Sequence, residues 1–110
     1  MPDNSKVVLV VGGACGIGNA TVATLMSQNY RVICADINSE KLEELEIKYK
    51  NKLKRQFFTH YLDITEKQSI KQCLGWIVNE FKSLDSIIIS AAVHSTYPVD
   101  LGYDLCMDYQ

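Results

Sequence analysis

Two kinds of hydrophobic pattern alternate along this chain. Short, nearly unbroken apolar runs are separated by longer stretches whose apolar residues recur every three or four positions. The run KVVLVV over 6–11 is almost wholly β-branched, which predicts a strand covered on both faces, as in a parallel sheet. The stretch IGNATVATLMSQN then puts Ile17, Val22, Leu25 and Met26 on one helical face, with Asn29 as its stop. YRVICADI over 30–37 predicts a second strand, and Asn38 or Ser39 can cap the helix after it. In that helix Leu42, Leu45, Tyr49 and Leu53 form the apolar stripe, opposite Glu43, Glu46, Lys48, Lys50 and Lys52. QFFTHYLD over 56–63 is a third strand. Thr65-Glu66-Lys67-Gln68 reads as a capping box that opens a helix with Ile70, Leu74, Ile77 and Phe81 on one side. LDSIIISAAV over 84–93 predicts a fourth strand and its exit turn, while 97–110 has mixed polarity and a candidate helix start near Leu101.

The predicted order is β-α-β-α-β-α-β with short connections. Such alternation implies right-handed crossovers and a parallel sheet with helices on both faces. Residues 1–96 are expected to form the βαβαβαβ unit, with 97–110 as a C-terminal segment.

Four glycines crowd the turn after the first strand, in VVGGACGIGNA. Gly13 and Gly18 have the spacing of a phosphate-binding P-loop, but Asn19 stands where that loop needs lysine. A G-x-G-x-x-G fingerprint from Gly16 and Gly18 fails at Thr21. The pattern G-x-x-x-G-x-G fits in full at Gly12, Gly16 and Gly18. In such a turn the first glycine allows a sharp exit from the strand. The second lets a pyrophosphate approach the backbone, and the third lets the helix pack against the sheet. Amides at the helix start would then face the anion. A glycine-rich turn that binds nothing is the competing reading. Asp36 weighs against it: it ends the second strand about 20 residues on, where a carboxylate can accept both ribose hydroxyls of adenosine. Ile37 and Asn38 follow it, not a base, so NAD is expected over NADP.

Composition narrows the setting. With 47% hydrophobic residues, 22% charged residues and a net charge of −2, nothing favours nucleic acid or an anionic membrane. No apolar stretch nears the roughly 20 residues that span a bilayer. Cys15, Cys34, Cys73 and Cys106 are scattered and not grouped with His60 or His94, so neither a metal site nor a disulfide framework is expected. Reduced thiols fit a cytoplasmic protein.

At these residues the sequence resembles the classical short-chain dehydrogenase/reductase family, over nearly the whole chain and roughly the first half of such enzymes. GGACGIG at Gly12 to Gly18 matches the family's TGxxxGIG motif except for Val11 in place of threonine. ADI puts Asp36 at the acidic cofactor selector, with Ile17 in the turn and Ile37 beside Asp36. LDIT resembles the adenine-binding segment, which implies roles for Asp63 and Ile64. LDSIIISAAV resembles LDxLVNNAGI, which implies that Ser90, Ala91 and Ala92 line the path to the nicotinamide ribose. Ile89 and Ser90 replace the two asparagines, and Ala92 replaces glycine, so the nicotinamide end departs from the pattern while the adenosine end keeps it.

The resemblance also implies a truncated Rossmann-like doubly wound sheet of strand order 3-2-1-4. In the family a Tyr-x-x-x-Lys pair carries the acid/base step. No tyrosine here is followed four residues on by lysine, and no lysine occurs after Lys82. No catalytic residue is assigned, and His94 is read as a solvent-exposed loop residue. The expected function is the NAD(H)-binding half of an oxidoreductase that moves hydride between an alcohol and a carbonyl, inactive alone. The alternative is a non-catalytic NAD-binding, self-associating or partner-binding module. The fourth strand would be a sheet edge from Ser86 to Ser90, apolar and uncharged, and self-association, as in a dimer, is expected through it.

Overall fold

Every residue of the first strand, β1 (Val7–Val11), is buried, as an apolar run without alternation requires of a central strand. The computed structural model describes residues 6–14, 16–49 and 56–90. The elements after β1 are α1 (Gly16–Ser27), β2 (Arg31–Asp36), α2 (Ser39–Tyr49), β3 (Phe57–Tyr61), α3 (Lys67–Phe81) and β4 (Ser86–Ile89). All three pairings are parallel, and the sheet order is β3-β2-β1-β4. The fold is the expected Rossmann-like α/β sheet. Residues 91–110, with Leu101 and the anticipated helix, and Leu53 lie outside the described residues.

The two-residue period of the strands sorts their side chains onto two faces. Val8, Val10, Val32, Cys34 and Phe57 face α1 and α2, where Val22, Met26, Leu42 and Leu45 meet them. Val7, Leu9, Val11, Ile33 and Ala35 face α3 and pack with Cys73 and Ile77. Ile33 and Ile77 are wholly buried, each contributing roughly 1.5–3 kcal/mol by leaving water.

Three expectations need correction. Ile17 is not core: it is 74% exposed, and Gly18, Val22 and Met26 are the buried positions of α1. Leu74 is exposed, and Cys73 takes the central place against the sheet, because the axis of α3 turns its 70-73-77 row inward. Thr65 does not cap α3. The helix starts later, Glu66 stands at the cap without a side-chain bond, and the Thr65 hydroxyl donates to Asp63 Oδ1 at 2.6 Å. A nearby ionised acceptor outcompeted the helix amides. Elsewhere the punctuation holds. Asn38 caps α2 by accepting from Lys41 N at 3.0 Å, and Asn29 leaves α1 with φ 70°, a conformation asparagine tolerates.

Gly75 lies inside α3, and nothing lies within 4 Å of where its Cβ would stand. Gly75→Ala is therefore expected to raise stability by about 1 kcal/mol through helix propensity alone, read as a higher urea midpoint.

Candidate functional site

In a parallel sheet every strand ends at the same edge, so the residues that follow the strands converge there. Gly12 follows β1, Asp36 ends β2, Asp63 and Ile64 follow β3, and Ser90 follows β4. The strand order turns back between β1 and β4, and a crevice outside the strand ends opens at such a reversal. Gly12 and Ser90 flank it. Ala91 and Ala92, expected at the same site, lie outside the described residues, as do Cys15 and His94.

The glycine turn is pinned from three sides. Gly12 N donates to Ala35 O at 2.8 Å, which ties the turn to β2. Asp36 Oδ2 accepts from Ala14 N at 3.1 Å, and its Oδ1 accepts from Asn38 N at 3.0 Å. The Ser90 hydroxyl lies 3.2 Å from Gly12 O and 3.3 Å from Val11 O, as a donor shared between them. Val11 lacks the hydroxyl that the family's threonine carries, and here Ser90 and Asp36 hold the turn instead.

Gly12 and Gly16 have φ of 83° and 60°, which L side chains rarely adopt. Gly18 is required for a different reason. A Cβ there would collide with the Gly12 carbonyl and lie 2.5 Å from Ser90 Oγ. The start of α1 thus lies directly on the turn. Its first-turn amides have no intrahelical acceptor, and no acidic side chain lies in that turn. A positive helix end beside a glycine-rich turn is the kind of cradle that a pyrophosphate needs. The residues present fit a dinucleotide there. Ile17 and Ile37, 74% and 55% exposed, stand at this edge as apolar surface.

Asp36 can serve the turn and a ligand together. A carboxylate offers about four acceptor positions, and the two backbone amides occupy one on each oxygen. At the end of β3, Asp63 Oδ1 accepts from Thr65 N at 3.0 Å as well as from the Thr65 hydroxyl. These bonds, the hydroxyl's first, hold the Asp63 carboxyl below the usual carboxylate range. Its Oδ2 has no hydrogen bond among the described residues, and Asp63 N donates to Ser69 Oγ at 2.9 Å. Among the described residues no three His, Cys, Asp or Glu side chains group as a metal site. No helix there is long and apolar enough to cross a membrane.

One feature of the site was missed in the sequence. Cys34, two residues before Asp36 and on the same face, lies beneath Gly13, whose Cβ would come 2.9 Å from Cys34 Sγ. Alternation along β2 was the available signal. Burial first, then the Asp36 charge, pushes the Cys34 thiol from 9.0 up to about 12. The unfolded chain therefore loses this proton first as pH rises. The stabilisation is intact below pH 9 and falls through the interval up to about 12, by about 1.4 kcal/mol per pH unit. Between pH 9 and 10.5 the thermal midpoint is expected to fall more steeply in the native chain than in Cys34→Ala. Equal slopes would show that this thiol ionises as freely folded as unfolded.

Comparison with known proteins adds relatives to this geometry. The family model described as short chain dehydrogenase matches residues 6–102. The chain is 31% identical over 93 residues to the post-translational flagellin modification protein A of Campylobacter coli, covering 84% of this chain and 34% of that protein. It is 30% identical over 88 residues to the 3-oxoacyl-[acyl-carrier-protein] reductase of Thermotoga maritima, covering 80% and 35%. A solved short chain dehydrogenase from Bacillus anthracis superposes with a TM-score of 0.73 at 27% identity, over 82% of this chain and 36% of that one. A putative 3-oxoacyl-reductase from Bacillus thuringiensis superposes at 0.77 over 96% and 42%, and at 19% identity it attests the fold alone. The chain spans about a third of the length of the curated relatives named here.

Proposed function

Because the chain belongs to the short-chain dehydrogenase family, we propose that it is the NAD(H)-binding half of an oxidoreductase of that family and supplies cofactor binding without the acid/base step. The bound cofactor would accept or donate hydride, between an alcohol and a carbonyl in a complete enzyme. The observation that carries this reading is the glycine cradle: α1 lies so close on Gly12 that only glycine fits at position 18, which leaves main-chain amides bare at the helix start.

The remaining assignments follow from what each group can do. Gly12, Gly16, Ile17 and Gly18 receive the pyrophosphate. Asp36 accepts the adenosine ribose hydroxyls through its remaining acceptor positions, and its charge would repel a 2′-phosphate. Ile37 and Ile64 offer apolar surface to the adenine. Asp63, held ionised, presents Oδ2 as an acceptor for the exocyclic amine. By the family resemblance Ser90, Ala91 and Ala92 would serve the nicotinamide ribose; the Ser90 hydroxyl is already committed to the turn. No Tyr-x-x-x-Lys pair occurs in the sequence, so no dehydrogenase turnover is expected from this chain alone.

Calorimetric titration tests the proposal. NAD is expected to bind in the micromolar to millimolar range, with NADP at least tenfold weaker. Heat equal to buffer dilution at millimolar NAD would overturn it. Measurable turnover of alcohols by the isolated chain would overturn the assignment of no catalytic pair.

A second reading, assembly through β4, is favoured by one observation. Ile87 and Ile89 are 51% and 66% exposed on the strand that ends the sheet order among the described residues.

A further inference from the structure

The pattern G-x-x-x-G-x-G asks for glycine at 12, 16 and 18 and leaves Gly13 without a purpose. Gly13 does not take the positive φ of Gly12 and Gly16, so its torsion does not demand glycine. The floor beneath it does. Gly13 is buried, and a Cβ there would lie 2.9 Å from Cys34 Sγ and 3.2 Å from both Val10 Cγ1 and Val10 O. The first of these is far inside the roughly 3.5–4.0 Å at which nonbonded heavy atoms attract.

Cys34 cannot drop away from this contact. It stands in an interior strand, opposite Val10 of β1 and Thr59 of β3, and is wholly buried in the core that holds Val22 and Leu42. The two residues after it hold the turn by polar bonds. Ala35 O accepts from Gly12 N at 2.8 Å and from Gly13 N at 3.4 Å, and Asp36 Oδ2 accepts from Ala14 N at 3.1 Å. Three consecutive residues of β2 thus seat three consecutive residues of the turn.

We propose that Gly13 and Cys34 are a positioning pair for the cofactor turn: the thiol fills the space of a side chain at 13, fixes how closely the turn lies on β2, and so sets where the start of α1 presents its amides to a pyrophosphate. This role rests on the cofactor reading above. The turn has little play in this direction. The Gly13 bond to Ala35 O is already long at 3.4 Å, so a lift of a few tenths of an ångström breaks it. Any such movement reaches the helix, because Gly18 lies directly against Gly12 O. Sγ is the single heavy atom that cysteine has beyond Cβ, so Cys34→Ala vacates the room that a methyl at 13 needs. The contacts with Val10 that remain, at 3.2 Å, are ones a small shift relieves.

A cycle of native chain, Gly13→Ala, Cys34→Ala and the double variant tests the pair by urea unfolding and by calorimetric titration with NAD. Gly13→Ala combined with Cys73→Ala is the control, because Cys73 is as deeply buried but lies on the opposite face of the sheet, against Ile77 and Leu9. Gly13→Ala is expected to lower the urea midpoint and to weaken NAD binding by about tenfold or more. Adding Cys34→Ala should return the affinity to within about threefold of the Cys34→Ala chain, as expected of two residues that share one space. Adding Cys73→Ala should return none of it. If Gly13→Ala does not fold, a cooperative transition regained with Cys34→Ala and not with Cys73→Ala is the supporting result. A native midpoint and affinity in Gly13→Ala, no recovery with Cys34→Ala, or equal recovery with Cys73→Ala overturns the pair and leaves the cofactor reading standing. A midpoint that moves while affinity does not overturns the positioning role. A native chain that binds no NAD overturns the cofactor reading and the positioning role together, whatever the midpoints show of the packing.

Discussion

Gly18→Ala is expected to lower stability by about 2 kcal/mol or more and to abolish NAD binding at millimolar concentration. The added methyl would overlap the Gly12 carbonyl. Relief would need either α1 or the turn to move, and the turn is fixed. Gly12 N is held by Ala35 O at 2.8 Å, Gly12 O by the Ser90 hydroxyl, and Ala14 N by Asp36. Moving α1 would pull Val22 and Met26 out of the core. Helix propensity acts in the opposite direction, favouring alanine by about 1 kcal/mol. Gly75→Ala isolates that contribution, since its site is open. The two substitutions should therefore move the urea midpoint in opposite directions, with a gap of about 3 kcal/mol between them. A Gly18→Ala chain with a native midpoint and native NAD affinity would show that the helix does not lie on the turn as described.

Asp36→Ala is expected to weaken NAD binding by about 10–100-fold, equivalent to about 1.4–2.8 kcal/mol, and to narrow the preference over NADP. Two losses combine. The ribose hydroxyls lose their charged acceptor, and Ala14 N loses the bond that holds the turn in shape. The second loss costs stability as well, about 1–2 kcal/mol for two amides left without their acceptor at a partly buried site. Asp36→Asn separates the effects. One amide oxygen can still accept from a backbone N–H, so stability should recover in part while the repulsion of a 2′-phosphate stays lost. Titrations of both cofactors, read beside thermal midpoints, check this. If Asp36→Ala binds NAD and NADP as the native chain does, Asp36 is a turn brace and not a selector.

The same residues show how far the sequence could be read. Strand positions were evident because β1 and β2 are buried on both faces, and burial on both faces writes an unbroken apolar run. The glycine spacing pointed to the cradle because backbone that must adopt positive φ, or lie against a carbonyl, excludes every other residue. The position of Asp36 was equally evident, since it closes the apolar run that forms β2. Misreadings arose where two structures share one local pattern. Thr65-x-x-Gln68 has the spacing of a capping box, and Asp63, three-dimensionally adjacent, claimed the hydroxyl instead. Ile17 and Leu74 fit a helical stripe, yet which row of a helix turns inward depends on how its axis lies on the sheet.

The linear order of residues was sufficient for the alternation of strands and helices, for the need for glycine at 12, 16 and 18, and for an acid at the end of β2, because each is a local demand of backbone geometry or burial. The bracing of the turn by Ser90 and Asp36 and the place of Cys34 beneath Gly13 emerged only on folding. These contacts join residues far apart in the chain. Their distances are set by the register of the parallel sheet and the tilt of the helices upon it, and no short window of sequence encodes either.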